Sequence, residues 1–273
     1  MMNNPDTDKV FSGSVPKCYQ DYLVPLIFEP YAADLVSRLL ARPLASVLEI
    51  AAGTGVVTRK LASALPAKVE IVATDLNQAM LDMASSIGTQ RAVEWRQADA
   101  MQLPFDDASF DAVVCQFGVM FFPDKAKAFS EAKRVLRPGG IFIFNVWDRI
   151  EENEFAHVVT TALAEVFPQD PPRFMVRTPH GYHDFAQIVQ DLRAGGFTEP
   201  PRIATVPVRC QAESARIPAI ALCQGTPMRG EIEARGKDRL EEATDAAEAA
   251  IAMMFGRGPV IGKIQAHIVT VDR

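Results

Sequence analysis

Five short apolar runs divide the first half of the chain, at positions 46–51, 69–75, 93–99, 110–117 and 141–147. They are rich in β-branched or aromatic residues, too short for helices, and several lack polar alternation, which is how strands covered on both faces read. Helical patterns fill the spaces between them. Positions 56–65 follow a Gly-containing turn, and Asn77 caps a run carrying Met80, Leu81 and Ala84. Asp124 caps another, with Ala126, Phe129, Ala132 and Leu136 facing inward, ended by Arg137-Pro138-Gly139-Gly140. Strand alternating with helix predicts an α/β fold with a parallel, doubly wound sheet.

The second half changes character. Asn153 caps an amphipathic helix with Phe155, Val158, Val159, Ala162, Leu163, Val166 and Phe167 on one stripe. A Pro-rich loop over 168–179 follows, then a helix from Asp184 with Phe185, Ile188, Val189 and Leu192, stopped by Gly195-Gly196. Positions 203–208 and 263–271 read as strands, the latter alternating Ile264, Ala266, Ile268 and Thr270. About 55 mostly helical residues separate them. Connections in compact domains have medians of ~4–6 residues, so this stretch reads as a cap rather than a plain connection or a separate domain.

The 273 residues carry 48% hydrophobic and 23% charged positions, the balance of a folded globular chain, either one decorated α/β domain or two small ones. A net charge of −6 argues against nucleic acid as partner, because phosphate contacts need a surplus of cations. No apolar run approaches the ~18 residues of a membrane span, and the polar, acidic start shows no signal peptide. Cys18, Cys115, Cys210 and Cys223 lie far apart without a C-x-x-C pair, which predicts buried thiols in a reducing cytoplasm.

The central chemical feature is Val47-Leu48-Glu49-Ile50-Ala51-Ala52-Gly53-Thr54-Gly55, a strand entering a Gly-containing turn and then a helix. Such a turn lets a ligand approach backbone amides, and the helix start favours negative charge. By itself it is equally a tight strand-to-helix turn. Asp75 ends the second strand, where a carboxylate can accept hydrogen bonds from both ribose hydroxyls of a nucleotide. That spacing suits a nicotinamide cofactor as well, but Thr58 stands where a dinucleotide fingerprint wants Gly or Ala, and no Gly-Lys-Ser/Thr marks a P-loop.

These segments, with Thr74-Asp75-Leu76-Asn77-Gln78-Ala79-Met80-Leu81, Gln97-Ala98-Asp99-Ala100, Leu103-Pro104-Phe105, Phe110-Asp111-Ala112-Val113-Val114 and Leu136-Arg137-Pro138-Gly139-Gly140, form an ordered constellation. It resembles the class I S-adenosylmethionine-dependent methyltransferases, and among them the ubiquinone/menaquinone-type group, tightly over about residues 40–150. The general family pattern has Gly where this chain has Ala51; the ubiquinone/menaquinone-type group shares the Ala.

The resemblance implies a seven-stranded Rossmann-like doubly wound sheet of order 3-2-1-4-5-7-6, last strand antiparallel, with helical cap insertions. One domain over 1–273 would comprise lid helices (1–40), a cofactor-binding core (41–150), caps (151–200 and 209–262) and final strands (201–208 and 263–273). It further implies that Glu49 and the backbone at Ala51, Gly53 and Gly55 hold the methionine end of S-adenosyl-L-methionine, and that Asp75 takes the ribose diol. Leu76 and Met80 would pack the adenine, although residues at that helical spacing equally serve as core. Asp99 would accept the adenine amino group beside the backbone of Ala100 and Met101, and Gln116 and Phe117 would follow the fourth strand beside the sulfonium. Asp111 instead reads as fixing the turn into that strand. The segment 11–22 resembles the family's lid, with Tyr19 against the cofactor, or is an ordinary surface helix.

Methyl transfer needs mainly alignment of acceptor, methyl carbon and sulfur, and a base only where the acceptor must lose a proton. The base candidates are His180, Tyr182 and His183 in one loop, whose other reading is loop stabilisation and helix capping. With His157 on a helix and His267 on a strand, they make no metal set. The break 224–229 either lines an acceptor pocket or turns between helices. The expected function is methyl transfer to a small, apolar or aromatic acceptor; the alternative is cofactor binding without transfer. Thr58, Asp99 and the 136–140 segment disfavour a nicotinamide oxidoreductase.

Overall fold

The computed structural model describes residues 8, 11, 13–236 and 238–273. The parts of the expected lid at 1–7, 9–10 and 12 therefore lie outside the described residues. In the first half, strands β1 (Ser46–Glu49), β2 (Glu70–Asp75), β3 (Glu94–Gln97), β4 (Phe110–Gln116) and β5 (Leu136–Trp147) are interspersed with helices α3 (Val56–Ala64), α4 (Gln78–Ile87) and α5 (Lys125–Val135), β3 and β4 following one another without a helix between them. Before them run α1 (Val15–Cys18), a π-helical stretch Tyr19–Phe28, and α2 (Glu29–Leu39). After β5 come α6 (Glu154–Val166), α7 (Phe174–Arg177), α8 (Phe185–Ala194), β6 (Arg202–Ala212), α9 (Arg216–Gln224), α10 (Met228–Ala234), α11 (Arg239–Phe255) and β7 (Val260–Asp272).

The sheet order is β3-β2-β1-β4-β5-β7-β6. β1 pairs in parallel with β2 and β4, β2 with β3, and β4 with β5. β7 opposes β5: Arg273 N donates to Gly140 O and Asp148 N to Gln265 O, so one strand recedes as the other advances. The expected order and the antiparallel last strand are both found.

The chain divides into two compact units. One holds 29–146, 182–206 and 266–273; the other holds 1–28, 147–181 and 207–265. In the first, the buried β1 and β4 carry Val47, Leu48, Val113 and Val114, and α5 lays Phe129 on Phe142 and Phe144. Asp111 does what the sequence predicted: its carboxylate accepts from Ala45 N and Ser46 N and pairs with Arg137 at 2.8 Å, tying the base of β4 to β1. In the second unit the apolar stripe of α6 packs against α11 and α9, with Phe155 edge-on to Phe255.

Several local expectations need correction. Asn77 and Asn153 occupy the residues before α4 and α6, but neither side chain caps its helix. Asn77 instead donates its backbone amide to Asp75, and the Asn153 carboxamide bridges Asp148 O, Arg149 O and the Gln265 backbone. Asp124 and Asp184 do cap, accepting from Lys127 N and from Ala186 N and Gln187 N. Leu136 leaves the helix and opens β5, and β6 and β7 run beyond the expected strands, burying Cys210 and Ala212 at the end of β6 and Val260 at the start of β7.

Candidate active site

The carboxyl ends of β1, β2, β3 and β4 converge in the first unit, and the loop after β1 is held open by three left-handed residues. Ala51 has φ +54°, Gly53 +57° and Gly55 +81°. Ala51 carries a Cβ into a conformation that costs such a residue about 1–3 kcal/mol, and strain of this kind persists where its surroundings enforce it. Its Cβ sits where a Cβ on Gly118 would go, so the two positions are complementary: Ala at 51 demands Gly at 118. Gly55 is needed for a reason other than the expected ligand space. A Cβ there would meet the Trp95 ring at 2.8 Å and Ala84 Cβ at 3.2 Å, both protein atoms.

Asp75 braces the loop. Its Oδ2 accepts from Gly53 N at 2.8 Å and its Oδ1 from Asn77 N at 2.8 Å, so the second strand's end organises the turn after the first. Burial pushes its carboxyl upward, and these amide bonds pull the other way. Glu49, 1% exposed, receives Thr58 Oγ1 at 2.5 Å. Burial raises its pKa to about 8, against the Thr58 bond and the nearby Arg59 charge. Thr58, noticed in the sequence as a departure from another fingerprint, is thus part of the site; its distance of nine residues from Glu49 gave no hint of this. Thr54 Oγ1 is buried with no hydrogen-bond partner.

Asp99 follows β3 and turns the chain by accepting Met101 N on Oδ1 at 2.9 Å. Its Oδ2 accepts from none of the described residues. Ala100 is buried and Met101 half-buried beside it. Leu76 is 47% exposed at the end of β2, whereas Met80 is 3% exposed on the inner face of α4. Gln116 ends β4, and Phe117 follows in a left-handed conformation of φ +50°. Asn145 on β5, a residue the sequence reading passed over, holds that bend by accepting Phe117 N at 2.8 Å. Its Nδ2 is buried and unpartnered. The Phe117 ring meets Tyr31 edge-on.

The acceptor-side candidates are distributed differently. In the second unit, His180 is buried, with Nδ1 2.8 Å from Asp148 O. A carbonyl only accepts, so Nδ1 carries a proton. Tyr182, in the first unit, donates its hydroxyl to Asp191 at 2.8 Å beneath the Lys125 ammonium, and burial with Asp191 drives its pKa far upward. His183 is half-buried. Tyr19, in the second unit, stacks on Phe28 at 5.0 Å. The break at 224–229 is the turn between α9 and α10, closed by Thr226 Oγ1 on Leu222 O. Among the described residues no group of three His, Cys, Asp or Glu could hold a metal ion, and no helix is long and apolar enough to cross a membrane.

Such an arrangement can hold a nucleoside carrying an amino acid. It has a buried carboxyl at the end of β1, a loop with three left-handed residues, and two further carboxyls at the end of β2 and just after β3. Residues 48–144 match the methyltransferase-domain family. The ubiquinone/menaquinone biosynthesis C-methyltransferase of Idiomarina loihiensis is 38% identical over 125 residues, 44% of this chain and 47% of that protein. The chain thus spans about half the length of that curated relative. The phosphoethanolamine N-methyltransferase 2 of Haemonchus contortus, in complex with S-adenosylhomocysteine, superposes with a TM-score of 0.61 at 15% identity, over 99% of this chain and 61% of that one. The [4+2]-cyclase SpnF does so with 0.54 at 19%, over 90% and 81%. Residues 48–144 therefore match a methyltransferase domain, within a sheet of order β3-β2-β1-β4-β5-β7-β6, and are similar in sequence to the ubiquinone/menaquinone-type methyltransferases.

Proposed function

We propose that the protein binds S-adenosyl-L-methionine through Glu49, the 51–55 loop, Asp75 and Asp99, and transfers its methyl group to a small apolar or aromatic acceptor. The carrying observation is the set of carboxyls at the ends of β1, β2 and just after β3, around a loop that takes left-handed conformations at 51, 53 and 55. Glu49 receives the ammonium, the loop amides meet the carboxylate, Asp75 takes the ribose diol, and Asp99 Oδ2 accepts the adenine amino group. Ala100, Met101, Leu76 and Met80 border the adenine, with Gln116 and Phe117 near the sulfur. When bound, the cofactor supplies a sulfonium methyl, an electrophile open to in-line displacement. The protein's own task is to orient the acceptor against it, an effect worth up to about 7–11 kcal/mol. The name of the Idiomarina relative suggests a quinone-type ring as acceptor and its carbon as the methylated atom.

His180, Tyr182 and His183 serve the acceptor in this reading, with His180 Nε2 the basic atom and Tyr182 a positioning group through Asp191. Tyr19 belongs to the lid, and the whole chain acts as one enzyme. A second reading, cofactor binding without methyl transfer, draws on the fold shared with a [4+2]-cyclase, since a fold does not dictate its reaction. Incubation with methyl-labelled cofactor and a lipid-soluble metabolite extract separates the two. Labelled product supports the first reading, and saturable cofactor binding without any product supports the second. Replacing His180, Tyr182 and His183 together by Ala, Phe and Ala is expected to lower turnover at least tenfold while cofactor affinity holds; unchanged turnover makes the loop purely structural.

A further inference from the structure

Glu49 presents an unusual electrostatic situation. Its side chain is 1% exposed, and among the described residues the one side-chain donor to it is the Thr58 hydroxyl. Among the described residues no cation is bonded to it. Arg59, one residue along α3, directs Nη1 at Thr54 O, 2.6 Å away. The other ionisable groups around it offer no compensation. Asp75 on β2 is a second buried carboxyl, Cys115 on β4 is a thiol that burial holds protonated, and Glu29 at the start of α2 acts on Arg59. Asp75 at least receives backbone amides, whereas Glu49 has one neutral hydroxyl. A carboxylate buried in this way, with no partner cation, is strongly disfavoured, and the group keeps its proton instead.

We infer that Glu49 is a proton-coupled receptor for the ammonium of the cofactor: it is protonated in the free protein and gives its proton to solvent as the cation arrives. The inference rests on the cofactor reading above and adds to it the protonation state and its consequence. The Oε–H bond breaks, the proton passes to buffer, and the carboxylate pairs with the incoming ammonium while Thr58 continues to donate. One charge pair then occupies a site that neither charge could occupy alone. The upward displacement of the Glu49 pKa to about 8 agrees with this geometry. Affinity for the cofactor's amino-acid end therefore rises about tenfold per pH unit between about pH 5.5 and 7.5, by linkage.

The test is calorimetry of S-adenosylhomocysteine binding to the full chain at pH 6.5, in buffers of different ionisation enthalpy, with affinities measured from pH 5.5 to 7.5. The expected result is release of close to one proton per ligand and the tenfold-per-unit rise. Glu49→Gln, which imitates the protonated form, should abolish the release and flatten the pH dependence. Thr58→Val, which removes the one donor to the carboxylate, should weaken binding most at the lower pH values. Binding with a buffer-independent enthalpy and a pH-independent affinity overturns the inference and leaves the cofactor reading standing. Absence of binding at every pH overturns the cofactor reading and the inference with it. The wild-type measurements decide the matter even if a variant fails to fold.

Discussion

Ala51 shows how one methyl group is accommodated at a strained position. Its φ of +54° would suit glycine, yet its Cβ fills the space that Gly118 leaves. Ala51→Gly removes the strain but adds backbone freedom to the unfolded chain, and the two effects oppose each other. The strain is the larger, so the variant should gain about 1 kcal/mol, read as a rise in melting temperature of about 2 °C. A fall would mean that the Ala51–Gly118 contact outweighs the strain. Thr58 and Asn145 carry a different lesson. Each serves a partner distant in sequence, Glu49 and Phe117 N, and nothing in its own neighbourhood marks it for that duty.

Among the elements, α6 is the one whose meaning changed most between sequence and structure. Its apolar stripe, read in the sequence as one face of an amphipathic helix in a cap segment, is covered by α11 and α9. Helix-on-helix packing makes Leu163, fully buried on that stripe, a stability residue. Leu163→Ala should cost about 2–4 kcal/mol in urea unfolding, the range for a large-to-small change in a core. Affinity for S-adenosylhomocysteine should stay within twofold, because Glu49, Asp75 and Asp99, proposed to hold the cofactor, belong to the other unit. A proportionate loss of affinity would show that the two units unfold and bind together. The helix starts make the same point on a smaller scale. Asp124 and Asp184 cap as their residue type suggests, whereas Asn77 and Asn153 are drawn to strand-end and loop partners.

At the scale of the whole molecule, the Glu49 carboxyl should leave a pH signature on stability. Its folded pKa, about 8, lies above the ordinary value of 4.5. Below pH 4.5 both folded and unfolded chains carry the proton and the group is neutral in effect. Between 4.5 and 8 the unfolded chain loses the proton and the folded chain retains it, so stability falls as pH rises, by up to about 1.4 kcal/mol per unit. Above 8 the contribution levels off. Urea unfolding of the cofactor-free protein at pH 5, 6, 7 and 8 should show this decline superimposed on the other titrations. Glu49→Gln should remove it. Parallel slopes for the two proteins would mean that Glu49 is ionised in the folded state.

The order of strands and helices over residues 46–147 was legible from the sequence, because the elements other than the largely exposed β3 each bury a short apolar run or stripe and the intervening turns carry Gly, Pro or a capping residue. The resemblance added the strand order and named Glu49, Asp75 and Asp99. Other features depended on tertiary structure. The unpaired state of the Glu49 carboxyl follows from the packing of α3 and β2 around it. The requirement for Gly55 comes from Trp95 and Ala84, which are far along the chain. The α6 stripe finds its cover in helices some sixty to ninety residues downstream. Periodicity records which face of an element is apolar. It carries no information about which distant face will meet it, and that pairing decides whether a buried group is core, scaffold or site.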